Sequence, residues 1–69
     1  MLSFKHQDGA IHIALDSAGI AEFITILQRL DATRGHVHLL TKSNGGRELD
    51  EKTPRGEEAV GEVIVDYIE

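Results

Sequence analysis

Residues 17–33, SAGIAEFITILQRLDAT, carry the only sustained helical period in this 69-residue chain. Ile20, Phe23, Ile24, Leu27 and Leu30 recur at the spacing of one helical stripe, and Ala21 and Ile26 widen it. Glu22, Thr25, Gln28 and Arg29 fall on the outer side. Asp16 or Ser17 supplies an N-cap oxygen. Gly19 in the first turn lowers helix propensity by about 1 kcal/mol relative to Ala. Asp31 to Gly35 reads as a stop, with Gly35 as the residue after the cap. A lone amphipathic helix must bury its stripe against something, and the rest of the chain offers only short strands.

The first of those strands are well marked. Leu2, Phe4 and His6 alternate with Ser3, Lys5 and Gln7; Ile11, Ile13 and Leu15 alternate with Ala10, His12 and Ala14. Asp8-Gly9 lies between the two runs, and both residues tolerate the positive φ of a type I′ turn. A two-residue loop there pairs Gln7 with Ala10, His6 with Ile11, Phe4 with Ile13 and Leu2 with Leu15. That register puts both apolar sets on one face, whereas a slip by one would put one set in water.

After the helix, residues 36–41 (HVHLLT) read as a strand and Ser43-Asn44-Gly45-Gly46 as a turn. Residues 47–49 could return as a short strand. Residues 50–58 (DEKTPRGEE) are charged, hold Pro54 and Gly56, and read as a mobile loop without a core residue. Residues 59–68 (AVGEVIVDYI) form the last strand. The expectation is a single α+β domain over residues 1–69, in β-β-α-β-β-β order, with one helix on one face of a single, mainly antiparallel sheet of 4–5 strands.

The helix can cover one face only. Leu2, Phe4, Ile11, Ile13, Leu15, Val37, Leu39, Val63, Val65 and Tyr67 are expected beneath it. The opposite face then holds Lys5, His12, Ala14, His36, His38, Leu40, Ile64, Asp66 and Ile68. Within that set, His12, His36, His38, Leu40, Ile64 and Ile68 form the expected interaction surface, because exposed apolar side chains in a group mark an interface. The contrary reading is that they are scattered singly or covered by the 50–58 loop. A two-fold homodimer would let one patch meet itself.

So short a chain buries only about 60% of its unfolded surface and commonly needs a disulfide, a metal or a partner copy. There is no cysteine, which removes disulfides and thiolate metal sites. Twelve acids against seven bases give a net charge of −5, which argues against binding phosphate backbones and suits a basic protein partner. No run approaches the ~20 apolar residues of a spanning helix. The opening MLSFKHQDG lacks an apolar run behind a basic region, so no signal peptide is expected and the expected address is the cytoplasm.

Chemistry-bearing patterns are few. His36-Val37-His38 places two imidazoles on one face of a strand, and His12 could join them as the third ligand of a zinc site. The plainer reading is three surface histidines, and no metal site or cofactor is assigned. Asn44-Gly45-Gly46 could cradle an anion, but Arg47-Glu48-Leu49 follows where a phosphate loop would continue with Gly-Lys-Ser/Thr. Ser3, Ser17 and Ser43 lack the setting of a nucleophile elbow. The acids at 48, 50, 51, 57 and 58 lie in a charged loop, not in a desolvated site. No catalytic residues are assigned, and an enzyme is not expected.

Residues 36–49, HVHLLTKSNGGREL, resemble the central stretch of a small bacterial immunity-protein family, immunity protein family thirty-two. The matching positions are His36, His38, Leu39, Gly45, Gly46, Glu48 and Leu49. Asn44 stands where that pattern has an aromatic residue. The resemblance implies a non-catalytic binder that masks a toxin. Two readings follow: a small protein-binding module of that kind, or a dimeric domain that takes a small ligand or metal on its histidine-bearing face.

Overall fold

A computed structural model describes residues 1–69. The elements are β1 (Leu2–Gln7), β2 (Ala10–Leu15), α1 (Ser17–Thr33), β3 (His36–Leu40) and β4 (Glu62–Asp66), with a 3₁₀ turn at Lys42–Asn44. The fold is α+β, and its strands form two antiparallel ladders, β1-β2 and β3-β4. The expected single sheet of 4–5 strands is therefore divided. Residues 47–49 contribute one bridge, Leu49 to Thr41, and the last strand begins at Glu62 instead of 59. Glycine and proline recur between the ladders, and that segment lacks an alternating run long enough to extend either one.

The β1-β2 register is Leu2↔Leu15, Phe4↔Ile13, His6↔Ile11 and Gln7↔Ala10, as the turn chemistry requires. Asp8 (φ 53°) and Gly9 (φ 76°) both take the left-handed region. β3 pairs with β4 as His36↔Asp66, His38↔Ile64 and Leu40↔Glu62. Irregular chain joins the two ladders. Asp50 N–H donates to Leu2 O (2.8 Å), Val60 N–H to Phe4 O (2.7 Å) and Thr41 N–H to Gly61 O (3.1 Å).

The Asp16 carboxylate caps α1, accepting from Gly19 N–H at 2.8 Å, and also pairs with the Met1 ammonium. That ammonium is the first cause, and the Gly19 bond the second, of an Asp16 pKa below its ordinary value. Gly19 is buried beneath the N-terminus, and a Cβ there would run into the Met1 carbonyl oxygen. The helix ends as expected, with Gly35 directly after the cap: Arg34 takes the left-handed cap (φ 55°) and its N–H donates to Leu30 O at 2.7 Å.

The core comprises Leu2, Phe4, Leu39 and Leu49, with Phe23, Ile26, Val37, Val60, Val63 and Val65 packed around it; Leu30 is also buried. Leu49 is a core residue that its charged surroundings concealed. Two expectations are corrected here. Ile11, Ile13 and Leu15 are exposed, although Phe4 and Leu2, the cross-strand partners of Ile13 and Leu15, are buried. On the helix, Ile20, Ile24 and Leu27 are exposed, while Phe23, Ile26 and Leu30 face the core. The helix touches both strands of the hairpin, with Phe23 against Phe4 of β1, yet leaves Ile11, Ile13 and Leu15 of β2 exposed.

Candidate functional site

Four surfaces need comparison. The first is a cleft of about 340 Å³, chiefly on the face of the β1-β2 hairpin away from α1, lined by Ser3, Lys5, Gln7, His12, Ile13, Ala14 and Thr53 to Arg55, with Glu57. The segment expected to be a mobile loop folds over it. Thr53 N–H donates to Glu57 O (2.8 Å), Ala59 N–H to Glu51 O (3.0 Å), and Lys52 bridges to Glu58. Lys5 Nζ reaches Glu57 Oε2 at 2.6 Å and is the main reason the Glu57 carboxyl titrates below its usual range, with Arg55 and His12 adding to it. A carboxylate held ionised by a lysine is a weak general base. The Thr53 hydroxyl accepts from the amides of Arg55 and Glu57, so it serves its own turn.

The second is the Lys42–Gly46 turn. Its amides are consumed within the turn: Asn44 N–H and Gly46 N–H donate to Thr41 O, and Gly45 N–H to Lys42 O. The carboxylate of Glu51 takes Ser43 N–H (2.7 Å) and the Ser43 hydroxyl, and these two bonds lower its pKa. Asn44 Nδ2 donates to Gly61 O (3.1 Å) and ties the turn to the approach to β4. The anion cradle considered from Asn44-Gly45-Gly46 has no free N–H among these three residues.

The third is the histidine face. His36 and His38 do stand side by side, ring centroids 5.0 Å apart, as positions i and i+2 of a strand should. His38 Nδ1 lies 3.0 Å from Glu62 Oε2. His12 is on the other hairpin, lining the cleft with Lys5, and the three histidines do not converge; no group of three His, Asp or Glu side chains is arranged to hold a metal ion. Leu40 is half-buried, with Gly46 packed directly on it. Ile64 is exposed between His36, His38, Glu62 and Asp66, and Ile68 lies beyond the strand. Of the six residues expected as one interaction surface, the structure groups His36, His38, Leu40 and Ile64 on the β3-β4 ladder.

The fourth surface is the one that sequence reasoning assigned to the core. Gly19 sits against Met1 and Phe23 against Phe4, so α1 lies over β1 and runs with it. Helical side chains advance ~100° per residue. With Phe23, Ile26 and Leu30 pointing down, Ile20, Ile24 and Leu27 point sideways, clockwise as seen from the N-terminus. Phe4 forms a non-hydrogen-bonded pair with Ile13, so its Cα hydrogen faces β2 while its carbonyl faces Val60. For a right-handed helix above an L-residue strand, these directions put Ile20, Ile24 and Leu27 on the β2 side. By this geometry they stand on the same side as Ile11, Ile13 and Leu15, and the six make one apolar ledge, each residue 36–59% exposed. No charged side chain interrupts the ledge between Ile20 and Leu27, nor on the odd positions of β2.

The outer edge of β2 borders this ledge. Across a two-residue turn the even positions of β2 bond to β1, so the N–H and C=O groups of Ile11, Ile13 and Leu15 point outward. Leu2 O and Phe4 O, their counterparts on β1, accept from Asp50 and Val60; nothing in the fold takes up the β2 groups. One sequence signal could have revealed the ledge. The apolar positions of α1 span about 160° of its circumference, more than the ~100° stripe that a lid buries.

No helix is long and apolar enough to cross a membrane. No protein-family model matches the chain, and no curated protein or solved structure gave a match to it.

Proposed function

We propose that this chain is a small, non-catalytic protein-binding module that docks its partner on the β2-α1 ledge. The observation that carries this reading is the ledge itself: six large aliphatic side chains, free of charge, in a chain that is 28% charged. The centre of an interface is depleted of charge in the same way, and contiguous exposed apolar surface marks docking sites. The resemblance of residues 36–49 to an immunity family supports a protein as the ligand, a toxin domain included. A cytoplasmic address agrees with the lack of cysteine.

The test compares immobilised protein with an Ile20→Glu/Ile24→Glu double variant in capture from the native cell extract. Both positions are about half exposed, so the variant should fold. Loss of a captured protein is expected; equal capture by both would refute the ledge as the docking surface.

A second reading rests on the hairpin cleft, where Lys5, His12 and Arg55 gather in an otherwise acidic chain. It predicts a small anionic ligand. Backbone amide shifts confined to these residues on titration with inorganic phosphate would support it, and a featureless titration would remove it.

A further inference from the structure

We infer that the occupant of the ledge is a second copy of this chain, joined edge to edge through β2 in an antiparallel pair centred on Ile13; this rests on the ledge being the docking surface. Three observations carry it.

The first is the edge. Exposed edge strands are normally blunted by lysine, proline, a bulge or a covering loop. β2, AIHIAL, has no charged residue and no proline, and its register runs without interruption from Ala10 to Leu15. Its outward N–H and C=O groups belong to Ile11, Ile13 and Leu15, whose side chains also line the ledge.

The second is self-complementarity. A two-fold axis through Ile13 opposes Ile13 to Ile13 and Ile11 to Leu15 of the second copy. Each of these is a hydrogen-bonded pair, so every free group on the edge is matched. The same axis opposes His12 to Ala14 of the second copy on the far face, which avoids an imidazole–imidazole contact. On the near face it brings Ile20, Ile24 and Leu27 of the two helices together above a continuous four-stranded sheet. One patch thus meets itself, as an isologous interface requires.

The third is area. The chain exposes 4920 Å² at a mass of 7.6 kDa. A compact monomer of that mass is expected to expose about 4,300 Å². The excess, roughly 600 Å² over the whole chain, shows that this surface is less completely buried than that of a compact monomer of the same mass. Only 8 of 69 residues are buried in the single chain, and oligomerisation is a common way for so small a core to be completed. The opposing effect is repulsion between two chains of charge −5. It is screened beyond about 8 Å at physiological ionic strength, and the ledge itself carries none of that charge.

The experiment uses the full chain. Sedimentation equilibrium from about 1 to about 200 µM should give twice the monomer mass at the upper end, with protection of the Ile11 and Ile13 amides rising alongside. Ile24→Glu should raise the dissociation constant at least tenfold. Because the chain has no cysteine, Ile13→Cys reports on the register. Hydrogen-bonded partners lie about 5.5 Å apart at Cα, within disulfide range. Under mild oxidation it should form a covalent dimer at least tenfold faster than Ile64→Cys, a similarly exposed control at 51%. Equal rates, or a monomer mass throughout, would overturn self-pairing. If the protein is monomeric and Ile20→Glu/Ile24→Glu still abolishes capture of another protein, the docking reading survives and only the occupant is wrong. If capture is also unaffected, both fall.

Discussion

Phe4 and Phe23 meet edge to face, with ring centroids 6.2 Å apart and planes at 83°. This contact anchors α1 over β1, and it is why Ile13, the cross-strand partner of Phe4, is left in the open. Phe4→Ala should cost about 3–5 kcal/mol. A domain of this size has roughly 3–10 kcal/mol in total, so the variant should be largely unfolded at 37 °C. Phe23→Leu keeps most of the apolar volume and loses the aromatic geometry, for about 1 kcal/mol. Urea denaturation followed by circular dichroism checks both, and near-equal midpoints for the two variants would contradict the placement of the pair.

Gly19→Ala reverses the ordinary rule. In an exposed helix the substitution should stabilise by about 1 kcal/mol. Here the added Cβ would strike the Met1 carbonyl oxygen, and relief requires moving the N-terminus away from Asp16. A net loss of at least about 1 kcal/mol is expected. A raised melting temperature would show that Met1 does not lie over the helix.

Acid should weaken the fold through named groups. Asp16 is held below its ordinary pKa chiefly by the Met1 ammonium, Glu51 by Ser43 and Glu57 by Lys5. A depressed folded-state pKa means that the native state binds fewer protons than the unfolded chain. The stability these groups contribute is therefore present above the unfolded values, near 4, and is lost as pH falls through the lower folded ones. The urea midpoint should fall steadily below pH 4. Asp16→Asn keeps an oxygen for the Gly19 cap and removes the charge, so it should flatten that slope; an unchanged slope would exclude Asp16 as a contributor.

Gly9→Val tests the turn. Gly9 has φ 76°, and a β-branched side chain there is strained by about 1–3 kcal/mol. Asp8→Gly should be tolerated, since Asp8 also sits at positive φ (53°). Thermal melts of both variants suffice, and a Val variant as stable as the parent would mean that the turn is wrongly placed.

The local elements were legible because each rests on neighbours in the chain. Asp8-Gly9 with its alternating flanks determined the β1-β2 register, and the Ile20–Leu30 spacing placed the helix with Asp16 or Ser17 as its cap, of which the structure uses Asp16. The pairing of His36 with His38 followed from the two-residue repeat of a strand. Less was readable where a contact spans the chain. Leu49 reads only as the end of a possible short strand beside a charged loop until the chain folds it into the core with Leu39.

The sequence alone therefore determined which residues are apolar, which face of each element they share, and that Phe4 and Ile13 stand opposite one another. It did not determine which of those apolar residues are covered. Periodicity relates a side chain to its own element, whereas burial depends on where a second element is laid across it. Tertiary structure decided that by setting the α1 axis over β1, through Phe23 on Phe4 and Gly19 beneath Met1. Placed there, the helix leaves the side chains of the hairpin's outer strand exposed. Ile11, Ile13, Leu15, Ile20, Ile24 and Leu27 thereby became surface, and the docking face proposed above lies there instead of on the histidine-bearing ladder.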